Sequence, residues 1–241
     1  MLALSHQTAV VTGASSGIGA AIALCLADEG ANLHLIGRNS DALEAVAQRV
    51  RTNSPRVLTY RIDLNIDADL EKLKTYLQRD CDGIDILVHS AGVISMGHLE
   101  TAPLADLDRQ FRTNVRAPYA LTQALLPMLR TRHGSVVFIN SSTGLTTRAN
   151  ISQYSATKHA LKAVADSFRA EVNADGIRVL SVYPGRTASP QQAAIHKAEG
   201  TTYSPELLMQ PADVARIVVD ALKANRTAEV TDISIRPMRK T

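Results

Sequence analysis

Short apolar runs alternate with amphipathic helical stretches along nearly the whole chain, and few folds accommodate that order. Thr8 to Thr12 (TAVVT) reads as a buried strand, and Ile18 to Gly30 as a helix that stops on a glycine. Asn32 to Ile36, Val57 to Asp63, Ile84 to His89, Ser135 to Ser141, Ile177 to Tyr183 and Glu229 to Arg236 read as further strands. Helices are predicted between them: Ser40, as N-cap, to Arg51; Asp67 to Arg79; Leu104 to Arg132 with a break or bend near Pro118; Gln153 to Ala174; and one starting at Pro211. This order predicts an α/β fold, a doubly wound parallel sheet of about seven strands with helices on both faces. Ligands of such sheets bind beyond the carboxyl ends of the strands, where the strand order reverses.

Composition points to one folded unit. Of 241 residues, 45% are hydrophobic and 20% charged, and no linker or charge run divides them, so residues 1–241 read as a single domain. The 26 basic and 23 acidic side chains are scattered and leave a net charge of +3. A nucleic-acid binder concentrates its basic residues and, for single strands, interleaves aromatics. With no Trp and three Phe, this chain fits a small anionic ligand better than a nucleic acid. Cys25 shares an apolar helical stripe with Ile18, Ala21 and Ile22 and reads as core. With Cys81 it makes no metal spacing and suits a reducing compartment. No signal-peptide pattern is seen, and apolar runs such as Ala20 to Ala27 are too short to span a membrane, so a cytoplasmic protein is expected.

Two motifs carry chemistry. Thr12 to Gly19 reads TGASSGIG, directly after the first strand and opening the first helix. Gly13 allows a sharp turn there, Gly17 lets backbone approach a pyrophosphate, and Gly19 lets helix pack closely on strand, while free N–H groups face the phosphates. Tyr154 and Lys158 stand four residues apart, hence on one helix face. A phenol, with its reference pKa of about 10, is a poor base at neutral pH; a neighbouring cation stabilises the phenolate and fits it for proton exchange with a carbonyl or alcohol oxygen. Alone, either motif has a plainer reading, as a loop or a surface pair.

TGASSGIG, the Tyr154–Lys158 pair, and Ser141 at the head of Ser-Ser-Thr-Gly thirteen residues before Tyr154 together resemble the short-chain dehydrogenase/reductase family. The resemblance runs from Thr12 to about Ser189 and implies a Rossmann-like single domain. It implies an oxidoreductase passing hydride between NADP(H) and a small-molecule carbonyl or alcohol. The catalytic residues would be Ser141 holding the substrate oxygen (with Ser142 a competitor by position), Tyr154 exchanging the proton, Lys158 tuning Tyr154 and binding ribose, and Asn114 supporting a water on the proton path. The cofactor would lie on Gly13, Ser15, Ser16, Gly17, Ile18 and Gly19, with Asp63 and Leu64 at the adenine. Ala91, Gly92, Asn114, Tyr154, Lys158, Pro184, Gly185 and Ser189 would complete its site. His89-Ser90 departs from the family's Asn-Asn, and Ser189 stands where threonine is usual. Asp63 reads equally as a turn or N-cap residue, and His89 as a hydrogen-bonded histidine at a strand end.

The second strand ends in Gly37-Arg38-Asn39. NAD-specific members of the family usually carry an acid at the first of these positions, so its absence here, with Arg38 next to it, implies NADP; the plainer reading of Arg38 is a solvated loop cation. The resemblance further implies a substrate lid at about 186–210, with Met96, Leu145 and Tyr183 lining the pocket. It implies a homodimer or homotetramer formed through the Tyr154 helix. A non-catalytic NADP-binding regulator on the same fold is the alternative function.

Overall fold

The computed structural model describes residues 2–239. Seven parallel strands form one sheet: β1 (Thr8–Thr12), β2 (Asn32–Gly37), β3 (Val57–Arg61), β4 (Ile86–His89), β5 (Ser135–Ile139), β6 (Arg178–Pro184) and β7 (Asp232–Ile235). Their order is β3-β2-β1-β4-β5-β6-β7. Between them run α1 (Gly17–Asp28), α2 (Ser40–Val50), α3 (Asp67–Asp80), α4 (Leu104–Phe111), α5 (Ala117–Arg132), α6 (Ser152–Val172), α7 (Pro190–Glu199) and α8 (Pro211–Leu222).

Successive strand residues face opposite sides, and both sides are covered. Ala9, Val11, Leu33, Leu35, Val88 and Val137 pack under α1, α2 and α8, whereas Val10, Ile36, Leu87, Val136 and Phe138 pack under α3, α5 and α6. Burial on both faces is why the central strands read as nearly unbroken apolar runs. Winding reverses between β1 and β4, so the loops leaving their carboxyl ends diverge and open a crevice. No helix among the described residues is long and apolar enough to cross a membrane.

Three expectations need correction and one is borne out. The N-cap of α2 is Asn39, not Ser40: its Oδ1 accepts from the Ala42 N–H at 3.0 Å. The helix expected over 104–132 is interrupted near Pro118 as predicted, by a π-turn at Arg112–Arg116. Pro118 has no N–H for the Asn114 carbonyl four residues back, so the α-helical ladder lapses just before it. β5 stops at Ile139 rather than Ser141; the Asn140 N–H still donates to the Val182 carbonyl on β6 at 2.8 Å, and its carboxamide turns onto α6, donating to the Lys158 carbonyl at 3.1 Å. Cys25 is partly exposed at the edge of the core rather than within it.

Candidate active site

The crevice above β1 and β4 is a cleft of about 510 Å³. Gly13, Ser15, Ser16, Gly17 and Ile18 form one wall. Gly13 has φ +64°, and a Cβ there would lie 2.8 Å from the backbone of Ala91, so the loops after β1 and β4 touch only because it is glycine. Gly17 opens α1 at φ +56°, facing Ser189 across the cleft. Ser16 caps α1 without a side-chain hydrogen bond, which leaves the first-turn N–H groups for an anion. This cradle fits a dinucleotide pyrophosphate. Gly19 does not line the cleft; a Cβ on it would sit 2.4 Å from the Gly13 carbonyl, so it serves helix–strand packing.

Beside this wall a recess is lined by Ser15, Arg38, Asn39, Ser40 and Arg61. Arg61 pairs with Gly37 across β3 and β2, which brings a second guanidinium beside Arg38. Asp63 and Leu64 line the cleft next to them. The Asp63 carboxylate accepts from the Asn65 backbone and carboxamide at 3.0 and 2.9 Å, so it forms an Asx-turn on the cleft wall.

At the far end Ser141, Tyr154 and Lys158 meet. Tyr154 and Lys158 share a face of α6, with the Lys158 Nζ 5.7 Å from the Tyr154 ring centre. Lys158 is buried and donates to the Ile139 carbonyl at 3.1 Å; burial lowers its ammonium pKa to about 8. Burial pushes the Tyr154 phenol up to about 12, with the neighbouring Ser141 hydroxyl acting against that rise. Ser141 heads the turn Ser142–Gly144, its Oγ accepting from the Thr143 amide and hydroxyl at 3.2 and 2.9 Å. Ser142 also lines the cleft, but Ser141 is the serine set against the phenol.

Asn114 lies in the π-turn, and its side chain is fully engaged: Oδ1 accepts from Val93 N at 2.9 Å, and Nδ2 donates to Val93 O at 2.8 Å and Thr157 Oγ1 at 3.1 Å. It ties the loop after β4 to α6 from behind the cleft wall. Ala91, Gly92, Pro184, Gly185 and Ser189 all line the cleft. Ser189 also caps α7, accepting from Gln192 N at 3.1 Å, which leaves its hydroxyl proton free to donate.

A sequence profile described as short chain dehydrogenase matches residues 7–200. The chain belongs to the short-chain dehydrogenase family. An uncharacterised oxidoreductase of Staphylococcus aureus is 31% identical over 239 residues, spanning 99% of this chain and 100% of that protein. Among solved structures, L-sorbose reductase from Gluconobacter frateurii, complexed with NADPH and L-sorbose, superposes with a TM-score of 0.89 at 27% identity over 100% of both chains. A metagenomic short-chain oxidoreductase in complex with NADP gives 0.85 at 29% identity over 99% of this chain and 100% of that one.

Within this short-chain dehydrogenase, sequence reasoning missed two polar residues. Asn140 is buried; besides holding α6 it accepts from the Ser141 N–H at 2.9 Å, so one carboxamide fixes two active-site elements. Thr157 donates to the Tyr154 carbonyl at 2.8 Å while accepting from Asn114. A polar residue at the end of a buried strand is the signal that marked Asn140. Other expectations fail. Met96, Leu145 and Tyr183 do not line the cleft: Leu145 points to solvent and Tyr183 is buried in the sheet layer. The apolar wall is made by Val93, Ile94, Ile151 and Ile195 instead. His89 faces the core, bonded to Thr122 Oγ1 at 2.8 Å and stacked on Phe138, while Ser90 lines the cleft. Residues 186–210 form α7 and a short turn at Pro205–Leu207, their ends joined by a bridge between Thr187 and Met209.

Proposed function

We propose that this protein reduces a small-molecule carbonyl to an alcohol with NADPH, reversibly, using Tyr154 as the general acid. The observation that carries this reading is the convergence of Ser141, Tyr154 and Lys158 at one end of the cleft whose other end is the glycine cradle. NADPH supplies the hydride when bound. Ser141 donates a hydrogen bond to the substrate oxygen and holds it beside the phenol. Tyr154 gives its proton to that oxygen in reduction and takes it back in oxidation. A phenol held up to about 12 stays protonated at neutral pH, which suits the reducing direction. Lys158 binds ribose and keeps positive charge beside Tyr154, and Asn114 locks the loop after β4 against α6 so that the proton path keeps its shape.

Arg38 and Arg61 hold the 2′-phosphate of NADP in their recess, with no acidic side chain among its lining residues to repel it. Two structural relatives bound to NADP or NADPH support this choice. Residues 186–210 act as the substrate lid. A homodimer or homotetramer forms on the outer face of α6, where Ala156, Ala163 and Ala170 are exposed and small enough for close helix approach. The test is Tyr154→Phe: turnover is lost while NADPH binding, followed by cofactor fluorescence, stays close to wild type. Retained turnover overturns the assignment.

A further inference from the structure

The substrate half of the cleft carries two arginines, and one carboxylate behind them neutralises only one. Arg148 projects from the loop between the Ser142–Gly144 turn and α6, and Arg186 follows Gly185; both line the cleft with Ser141 and Tyr154. Glu199, at the end of α7 and largely buried, accepts from Arg186 Nη2 at 2.9 and 2.8 Å and from Arg148 Nη2 at 2.7 Å. His196 Nδ1 lies 2.9 Å from the Gln192 carbonyl and 3.2 Å from Gln192 Nε2; in the tautomer protonated at Nδ1, Nε2 accepts from Arg186 Nη1 at 3.4 Å. Arg186 is therefore held on both arms. Arg148 is held on one. Its Nε and Nη1 have no protein partner among the described residues, and its side chain is 49% exposed at the rim.

The charges left facing this space have one sign. Arg148, Lys158 and Arg186 line it, and among the described residues the single acid on the cleft wall is Asp63, at the end beyond β3. Setting Glu199 against the two arginines leaves one positive charge at the rim, carried by a guanidinium with free donors.

We propose that Arg148 recognises a carboxylate on the substrate, so that the carbonyl reduced is that of a short oxo acid. This deepens the carbonyl-reductase reading and rests on it. A planar fork with unused N–H groups matches a planar carboxylate, and of the two cations here without a carboxylate of their own only Arg148 stands at the rim, Lys158 being buried beside Tyr154. The Glu199 contact fixes one arm of Arg148 in advance, so less freedom is lost when the other arm takes the ligand.

The test uses the NADPH-loaded protein and pairs of oxo acids with their methyl esters, the ketone two to five carbons from the carboxyl end. The acid is expected to exceed its ester at least about tenfold in kcat/KM, a ratio that falls about ten- to a hundredfold in Arg148→Gln. A readout independent of turnover is calorimetric titration with the saturated carboxylate and its amide: the carboxylate binds more tightly, and Arg148→Gln removes the difference. Esters reduced as well as acids, or an acid-to-ester ratio unchanged in the variant, overturn the carboxylate assignment and leave carbonyl reduction standing. Reduction of neither by a protein that binds NADPH and reduces a neutral diketone overturns it too. Absence of NADPH binding, seen by cofactor titration alone, overturns the functional reading and this inference with it. Should Arg148→Gln fail to fold, the wild-type acid-to-ester and carboxylate-to-amide ratios decide.

Discussion

The Lys158 ammonium lies 5.7 Å from the centre of the Tyr154 ring, and its hydrogen-bond partner is the Ile139 carbonyl at 3.1 Å rather than a carboxylate. A buried cation without a counter-ion is costly for the fold and useful beside a phenol, since its field would favour the phenolate in the proposed proton transfer from Tyr154.

The pH dependence follows from this pair. Burial sets Lys158 at about 8, and Tyr154 is pushed up to about 12. Reduction needs the neutral phenol, present throughout the working range, and the charged lysine, lost as pH rises through about 8. Carbonyl reduction is therefore expected to be flat from pH 6 to about 7.5 and to decline above about 8. Initial rates at saturating NADPH measure this; reduction that keeps rising past pH 9 contradicts the assigned roles.

Stability carries the opposite sign. The folded state favours neutral Lys158, whereas the unfolded chain keeps its proton up to the ordinary lysine value of 10.5. The penalty is fully present below about pH 8 and is relieved as pH rises from there towards 10.5. Lys158→Met removes it and forfeits one hydrogen bond, for a net gain of about 1–2 kcal/mol at pH 7. Urea midpoints of the two proteins provide the check, with the gain shrinking towards pH 10 and turnover absent in the variant.

Cofactor choice is expected to rest on two guanidiniums. Arg38→Asp is predicted to weaken NADPH binding by about 2–3 kcal/mol, roughly a hundredfold, and to leave NADH binding equal or better. Arg61→Ala is predicted to cost about tenfold for NADPH only. Parallel fluorescence titrations with both nucleotides measure this, and equal losses for NADH and NADPH in either variant count against it.

Asn140 acts as a positioning residue. Asn140→Ala leaves the Ser141 N–H without its partner and removes the second hydrogen bond of the Lys158 carbonyl, which stays within the α6 ladder, at a cost of about 1–3 kcal/mol in stability. Because it displaces Ser141 rather than the cofactor cradle, kcat is expected to fall about tenfold or more with little change in NADPH affinity. A variant that loses stability but keeps kcat would reduce Asn140 to a structural staple.

The architecture was legible because its cause is local. Strands buried on both faces are apolar at nearly every position, and helices laid on a sheet are amphipathic, so TAVVT and the other central strands announced a covered parallel sheet before any contact was known, while the edge strands β3 and β7 are only partly buried. The TGASSGIG turn was legible for the same reason: Gly13 and Gly17 adopt positive φ that other residues resist. The spacing of Tyr154 and Lys158 alone placed them on one helix face.

Long-range pairing decided the rest. Arg61 stands beside Arg38 because β3 pairs with β2 in a register that sets it against Gly37. Asn140, Thr157 and Asn114 form the scaffold behind the tyrosine only once β5, α6 and the π-turn are brought together. Arg148 and Glu199 lie 51 positions apart and meet only when α7 folds back over the cleft. Periodicity and backbone conformation are properties of short stretches, and the sequence determined them by itself. A hydrogen bond or charge balance between distant segments depends on where the whole sheet places them, and only the tertiary structure decided that.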